Sequence, residues 1–281
     1  MDWNALAHPW IDHEEPIEKA HSPVRDGLLD RAALKVGERV LDIGCGSGAL
    51  SLDAADQVGP DGRVIAFDIA EAFVSRVTER ARGRGHVEPV QGDAQHHDFS
   101  GADCDAVVSL FGTMFFDEPK SAFANIGRAL SAGGRMVFVT WAGPQHNPWF
   151  SVPGRAMAEA LPEMPKPDPS APGPMAFANI GMVTNLLSEA GFAEVSAEEV
   201  DTHLTPICAA ADITAMMLAI GPFRGATSRF GHPDAQNAIL ESIAARMIDG
   251  YGAFATGDGI RVPARVIYYM ATRTANNEWP E

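Results

Sequence analysis

The sequence predicts an α/β protein on a doubly wound, mostly parallel sheet with a helical lid. Short apolar runs alternate with helical stretches from about residue 39 to 141. Strands and helices in that rhythm build a parallel sheet covered on both faces, and right-handed crossovers impose a doubly wound order. A glycine-rich string, Gly44-Cys45-Gly46-Ser47-Gly48, separates the first run from the helix after it. The length of 281 residues suits one such domain with a lid, or two small domains.

The elements follow in order. Residues 1–21 mix polar and aromatic positions, with Trp3, Trp10, His8, His13 and His21. Ser22-Pro23 reads as a helix start, because Ser caps free N–H groups and Pro suits the first helical position. Val24, Leu28, Leu29 and Ala32 continue at helical spacing. Arg39–Ile43 is the first strand and a helix resumes at Ala49. Pro60-Asp61-Gly62 is a turn. Val64–Phe67, Val87–Val90, Asp105–Leu110 and Arg135–Trp141 are further strands, with helices expected over 71–82 and 118–131. The rhythm then breaks. Six prolines between Pro162 and Pro174 predict an irregular insertion over 143–178. A helix at 179–190 and a strand at 194–204 precede helical patterns over 209–250, and Arg265–Thr272 is a closing strand.

Composition narrows the function. The net charge is −16. Such a surface repels phosphate backbones and anionic membranes, so neither nucleic acid nor membrane is the expected partner. Cys45, Cys104 and Cys208 are widely spaced and form no CxxC pair, so a reduced, cytoplasmic protein without a metal site is expected. The N-terminus has no signal-peptide pattern and no apolar run reaches membrane-spanning length.

The string Val40–Gly48 carries the chemistry. Glycines between a strand and a helix let backbone approach a ligand and present N–H groups to an anionic part of it. Asp42 stands two residues before the first glycine, Asp68 closes the second strand, and Gly92-Asp93-Ala94 follows the third. On these residues the sequence resembles the class I S-adenosylmethionine-dependent methyltransferases, especially their UbiE-like small-molecule branch. The resemblance covers about 36–142 well and 178–273 loosely, and Leu130–Arg135 matches the turn before the fifth strand. It implies a seven-stranded Rossmann-like methyltransferase fold and S-adenosyl-L-methionine as cofactor. It also implies a cofactor site of Asp42, Gly44, Cys45, Gly46, Gly48, Asp68, Ile69, Asp93, Ala94 and Ser109, with Asp68 on the ribose hydroxyls and Asp93-Ala94 at adenine. A dinucleotide fingerprint is GxGxxG. Here the third glycine comes one residue early, with Ala49 in its place.

The resemblance divides the chain into an N-terminal helical cap (1–35), a cofactor-binding core (36–142), the insertion (143–178), and the rest of the core with a helical lid at 208–258. It implies methyl transfer to O, N, S or C of a small molecule by in-line displacement. The alternatives are a catalytically silent binding protein and another transfer, such as aminopropyl transfer, on the same fold. A base is needed only where the acceptor loses a proton. His146, which follows the fifth strand, leads, with His21 and His13 next; His96, His97, Glu14 and Glu15 are further candidates. Phe111–Phe116, Trp141 and Trp149 sit where an apolar acceptor or the core could use them. No (N/D)PPY, Pro-Cys, paired-glutamate loop or catechol-type metal set is present, which argues against the corresponding methyltransferase classes. A homodimer is a further expectation.

Overall fold

The computed structural model describes residues 2–163, 168, 171–205, 209–221, 223–227 and 232–274. Cys208 and three of the insertion's prolines, Pro165, Pro167 and Pro169, lie outside them.

Two helices precede the sheet, α1 (Trp3–Asp12) and α2 (Glu14–Ala32). Asp2 caps α1 by accepting the Ala5 N–H at 3.2 Å. The helix start expected at Ser22-Pro23 is corrected: α2 runs through Pro23 unbroken. Proline has no N–H for the carbonyl four residues back. The Ser22 hydroxyl donates to that carbonyl, Lys19 O, at 2.9 Å instead.

The core then alternates as expected: β1 (Arg39–Ile43), α3 (Ala49–Val58), β2 (Arg63–Asp68), α4 (Glu71–Arg80), β3 (Val87–Gln91), β4 (Cys104–Leu110), α5 (Pro119–Gly127) and β5 (Leu130–Trp141). Helix α5 ends earlier than the sequence reading, which carried it to 131. The Cys104 amide takes Ala129 O at 2.8 Å, so the chain has already joined the ladder there. It pairs Cys104 with Leu130, then shifts register to pair Ala106 with Arg135.

The insertion is also corrected. Helix α6 occupies Pro148–Ala160, with Pro148 in its first turn and Pro153 inside it. Pro153 leaves the carbonyl of Trp149 free, and the Tyr251 hydroxyl takes it at 3.0 Å. Then come α7 (Ile180–Glu189), β6 (Ala193–Leu204), α8 (Ala210–Ile220), α9 (Phe223–Thr227), α10 (Pro233–Gly252), the short pair β7 (Ala255–Thr256) and β8 (Gly259–Ile260), and β9 (Val262–Thr272).

The seven-stranded sheet has the order β3-β2-β1-β4-β5-β9-β6, and β9 is antiparallel to both its neighbours. Successive residues of β9 show the two faces. The Tyr268 hydroxyl donates to Val24 O of α2 at 3.0 Å. Tyr269 stacks on Phe138 of β5, which meets Phe123 of α5. Strand order reverses between β1 and β4, and the crevice outside their carboxyl ends is where such sheets bind ligands.

Candidate active site

At that crevice the chain leaves β1 through the glycine loop. Gly44, Gly46 and Gly48 have φ of +69°, +53° and +91°. A Cβ on Gly44 would lie 2.8 Å from Gly112 Cα, so the loop after β4 touches the glycine loop backbone to backbone. A Cβ on Gly46 would meet nothing within 4 Å. The loop is open where a ligand would rest.

Two carboxylates lie beneath it. Asp42 is fully buried. Its Oδ2 accepts from Ser51 Oγ at 2.5 Å, while its Oδ1 has no partner among the described residues. Burial pushes its pKa up to about 7; the Ser51 hydrogen bond opposes this and the nearby Asp68 adds to it. Asp68 is also buried; its Oδ2 accepts the Gly46 N–H and its Oδ1 the Ala70 N–H, each at 2.9 Å. Burial raises its pKa too, against those backbone N–H groups. The following Ile69 is 44% exposed. Burial pushes the Cys45 thiol up, so it remains protonated.

An orphaned buried carboxylate oxygen beside an open glycine backbone suits a ligand carrying positive charge and hydroxyl donors. S-adenosylmethionine, with its ammonium and sulfonium groups and its ribose, has that chemistry, so the residues present fit it.

The other sequence-predicted residues fall into two groups. Asp93 and Ala94 follow β3, one strand beyond Asp68; the Asp93 carboxylate accepts the Gln95 N–H at 2.9 Å, and Ala94 is buried. Ser109 lies at the end of β4. Its hydroxyl donates to Ile43 O at 2.6 Å and accepts the Gly112 N–H at 3.2 Å, so it ties the two loops together. His21 is buried among Phe111, Trp141 and Trp149, at the ends of β4 and β5. His13 is half-buried between α1 and α2, with Nδ1 2.9 Å from Pro9 O. His146 lies in the short turn Pro144–His146 directly after β5, on the side of Asp201 of β6. The aromatic side chains at the β4 and β5 ends are packed around His21, while His146 lies in the turn just past β5.

Three features escaped the sequence reading. Helix α1 lies against α4, with Trp3 edge-on to Phe115 and packed near Phe73 and Trp10. Arg80 of α4 donates to Ser47 O at 2.7 Å and pairs with Glu18 of α2, while Arg76 pairs with Glu14. The matched i, i+4 spacing of Glu14/Glu18 and Arg76/Arg80 is a signal the sequence did contain. The buried hydroxyls of Thr113 and Thr214 have no partner among the described residues.

A family model described as a methyltransferase domain matches residues 40–134. The aklanonic acid methyltransferase DauC of Streptomyces sp. (strain C5) is 34% identical over 156 residues, covering 52% of this chain and 70% of that protein. The nocamycin O-methyltransferase of Saccharothrix syringae is 32% identical over 195 residues, covering 65% of this chain and 69% of that protein. The YcgJ protein of Bacillus subtilis shares the fold at a TM-score of 0.58 and 16% identity, over 91% of this chain and all of that one. With the glycine loop and its two carboxylates, these likenesses establish that the chain belongs to the class I S-adenosylmethionine-dependent methyltransferases of the UbiE-like kind.

Proposed function

We propose that the protein transfers a methyl group from S-adenosylmethionine to an O, N, S or C atom of a small-molecule acceptor by in-line displacement. The observation that carries the cofactor half is the pair of buried carboxylates, Asp42 and Asp68, under the open backbone of Gly46. Both relatives named above are called after small molecules, which supports an acceptor of that size. When bound, the cofactor supplies an electrophilic methyl carbon. The chain's part is to hold that carbon and the acceptor atom in line, which converts an encounter into a local event. In this reading the unpartnered Asp42 Oδ1 faces the cofactor's ammonium. Asp68 accepts from the ribose hydroxyls with its remaining lone pairs, each oxygen having two. Ile69, Asp93 and Ala94 border the adenine. Ser109 and Cys45 shape the loop.

The test is calorimetry against S-adenosylhomocysteine and NAD, followed by incubation with methyl-labelled S-adenosylmethionine and a metabolite extract. Binding of the first ligand, none of the second and a labelled product are expected. NAD binding without S-adenosylhomocysteine binding would overturn the reading.

A further inference from the structure

We propose that His21 takes the acceptor's proton, and that the acceptor presents a hydroxyl group on a planar, apolar body. This rests on the methyl-transfer reading above.

The tautomer comes first. His21 Nδ1 lies 2.7 Å from Ile17 O, four residues back on α2. A carbonyl only accepts, so Nδ1 carries the hydrogen and the neutral ring leaves Nε2 as a bare lone pair. Nε2 has no hydrogen-bond partner among the described residues, though the side chain is 8% exposed. Burial holds the ring neutral, with its pKa down to about 4, against the Ile17 hydrogen bond and helped by the Arg25 charge. Arg25, on the same helix, is the one charged group acting on it among the described residues. Phe111, Trp141 and Trp149 from the elements packed against it carry no charge.

The surroundings set what Nε2 can meet. The ring centroids of Phe111, Trp141 and Trp149 lie 5.5, 5.6 and 5.6 Å from that of His21, all edge to face. Phe111 stacks flat on Trp141, at 4.2 Å and 1° between planes. It does so from a φ of +65°, a left-handed conformation that is strained for a residue with a side chain. Strained backbone of this kind clusters at active sites and ligand clamps. The next residue, Gly112, touches Gly44 of the glycine loop. The caged imidazole is thus joined to the cofactor loop through two consecutive residues.

The ring is buried among aromatic side chains, yet Nε2 is not among the buried atoms left without a partner, so the bare lone pair is the part of His21 that solvent, and hence an acceptor, can reach. A base is superfluous for an amine, which attacks with its own lone pair. A hydroxyl must shed its proton as the new bond forms. In the step inferred here, the hydroxyl oxygen forms a bond to the methyl carbon. The methyl–sulfur bond breaks with its electron pair passing to sulfur, and the hydroxyl proton passes to Nε2. The imidazolium then loses that proton to solvent. Its basicity suffices, since the hydroxyl becomes strongly acidic as the carbon–oxygen bond develops.

The experiment uses ¹³C-methyl S-adenosylmethionine with 2-naphthol, 2-naphthylamine, 2-naphthalenethiol and a metabolite extract, and reads the labelled carbon's chemical shift in every product. Methyl on oxygen is expected. His21→Gln and His21→Ala should lower kcat by about 10²–10⁴, the usual span of general-base catalysis. S-adenosylhomocysteine affinity should change less than twofold, and added imidazole should partly restore His21→Ala. Independently of any acceptor, ¹⁵N NMR of the wild-type protein at pH 6 should show His21 neutral with hydrogen on Nδ1. Label found on nitrogen or sulfur only, a His21→Gln enzyme within threefold of wild type, or a protonated or Nε2–H ring at pH 6 would each overturn the proposal. Loss of S-adenosylhomocysteine binding by the wild type would instead overturn the cofactor reading.

Discussion

Asp68 does two things with one carboxylate: it holds the glycine loop by the Gly46 N–H and closes the turn after β2 by the Ala70 N–H. Replacing it with Ala removes both ties and the acceptor for the ribose. S-adenosylhomocysteine binding should weaken by roughly 2–4 kcal/mol, since hydrogen bonds to charged groups contribute about 1.5–3 kcal/mol each and do not add fully; calorimetry measures it, and an unchanged Kd would place the ribose elsewhere. Asp42 offers a pH handle. Its carboxyl rises from 3.8 to about 7, mostly by burial, with Ser51, Asp68 and Cys45 as the groups facing it. The folded protein therefore keeps a proton that the unfolded chain releases. The ligand-free protein should lose stability as pH climbs from about 4 to about 7 and level off above. A cationic ligand favours the ionised form, so cofactor affinity should rise between pH 6 and 8, by less than about tenfold per pH unit for the one proton released. Thermal melts and calorimetry across that range check both signs, and Asp42→Asn should flatten both. These two acids were legible in the sequence because the motif is local: a strand, a turn and a helix start within a few residues. The orphan state of Asp42 Oδ1, the left-handed Phe111 and the cage around His21 were not. Each depends on segments that meet only in the folded chain.

Helices α2 and α4 are joined by two parallel ion pairs, Glu14–Arg76 and Glu18–Arg80, and Arg80 also reaches Ser47 O. The cap helix and the cofactor loop thus share one guanidinium. Hydrogen bonding to Glu18 raises the Arg80 pKa, so it stays charged throughout the working range. The pair keeps about a fifth of each side chain exposed, so its net worth is that of a partly screened bridge, about 1 kcal/mol or less. Arg80→Ala should cost about that in urea unfolding. Its larger effect should be local: faster amide exchange at Gly46 and Gly48 and weaker S-adenosylhomocysteine binding, by severalfold. Equal exchange in variant and wild type would show that the loop holds itself. At this scale the first four strands were read to within a residue at either end, while β5 and β9 begin earlier than their apolar runs and the β7–β8 pair was not read. The end of α5 was misread where the chain joins the sheet, and two other helices were misread at prolines. The partner replacing Pro23's missing N–H, Ser22, is adjacent and could have been read. The one answering Pro153, Tyr251, lies far along the chain and could not.

On the scale of the molecule, three segments beyond the alternating core converge: 1–35, 143–178 and 208–258. Helix α1 touches both α4 and α8, and α10 packs on α6 and α8. Tyr251 of α10 holds the carbonyl of Trp149, whose ring belongs to the His21 cage. A continuous run of packing therefore links α10 to the site beside the cofactor loop, which supports a jointly built roof over the crevice. Thr214 of α8 supplies a test. Its hydroxyl is buried without a partner among the described residues. Leaving a polar group so costs about 1–3 kcal/mol, while an apolar group of the same shape does not. Thr214→Val should therefore raise the melting temperature of the free protein, by roughly 2–4 °C per kcal/mol for a chain near this size. If α8 roofs the acceptor, the same change should raise acceptor KM severalfold and leave S-adenosylhomocysteine affinity untouched. Exchanging 208–258 for the matching segment of a relative with a different acceptor should likewise shift acceptor preference at constant cofactor affinity. If these helices instead cover a second subunit, Thr214→Val should stabilise the protein with no change in KM, and the segment exchange should alter the sedimentation mass and not the acceptor.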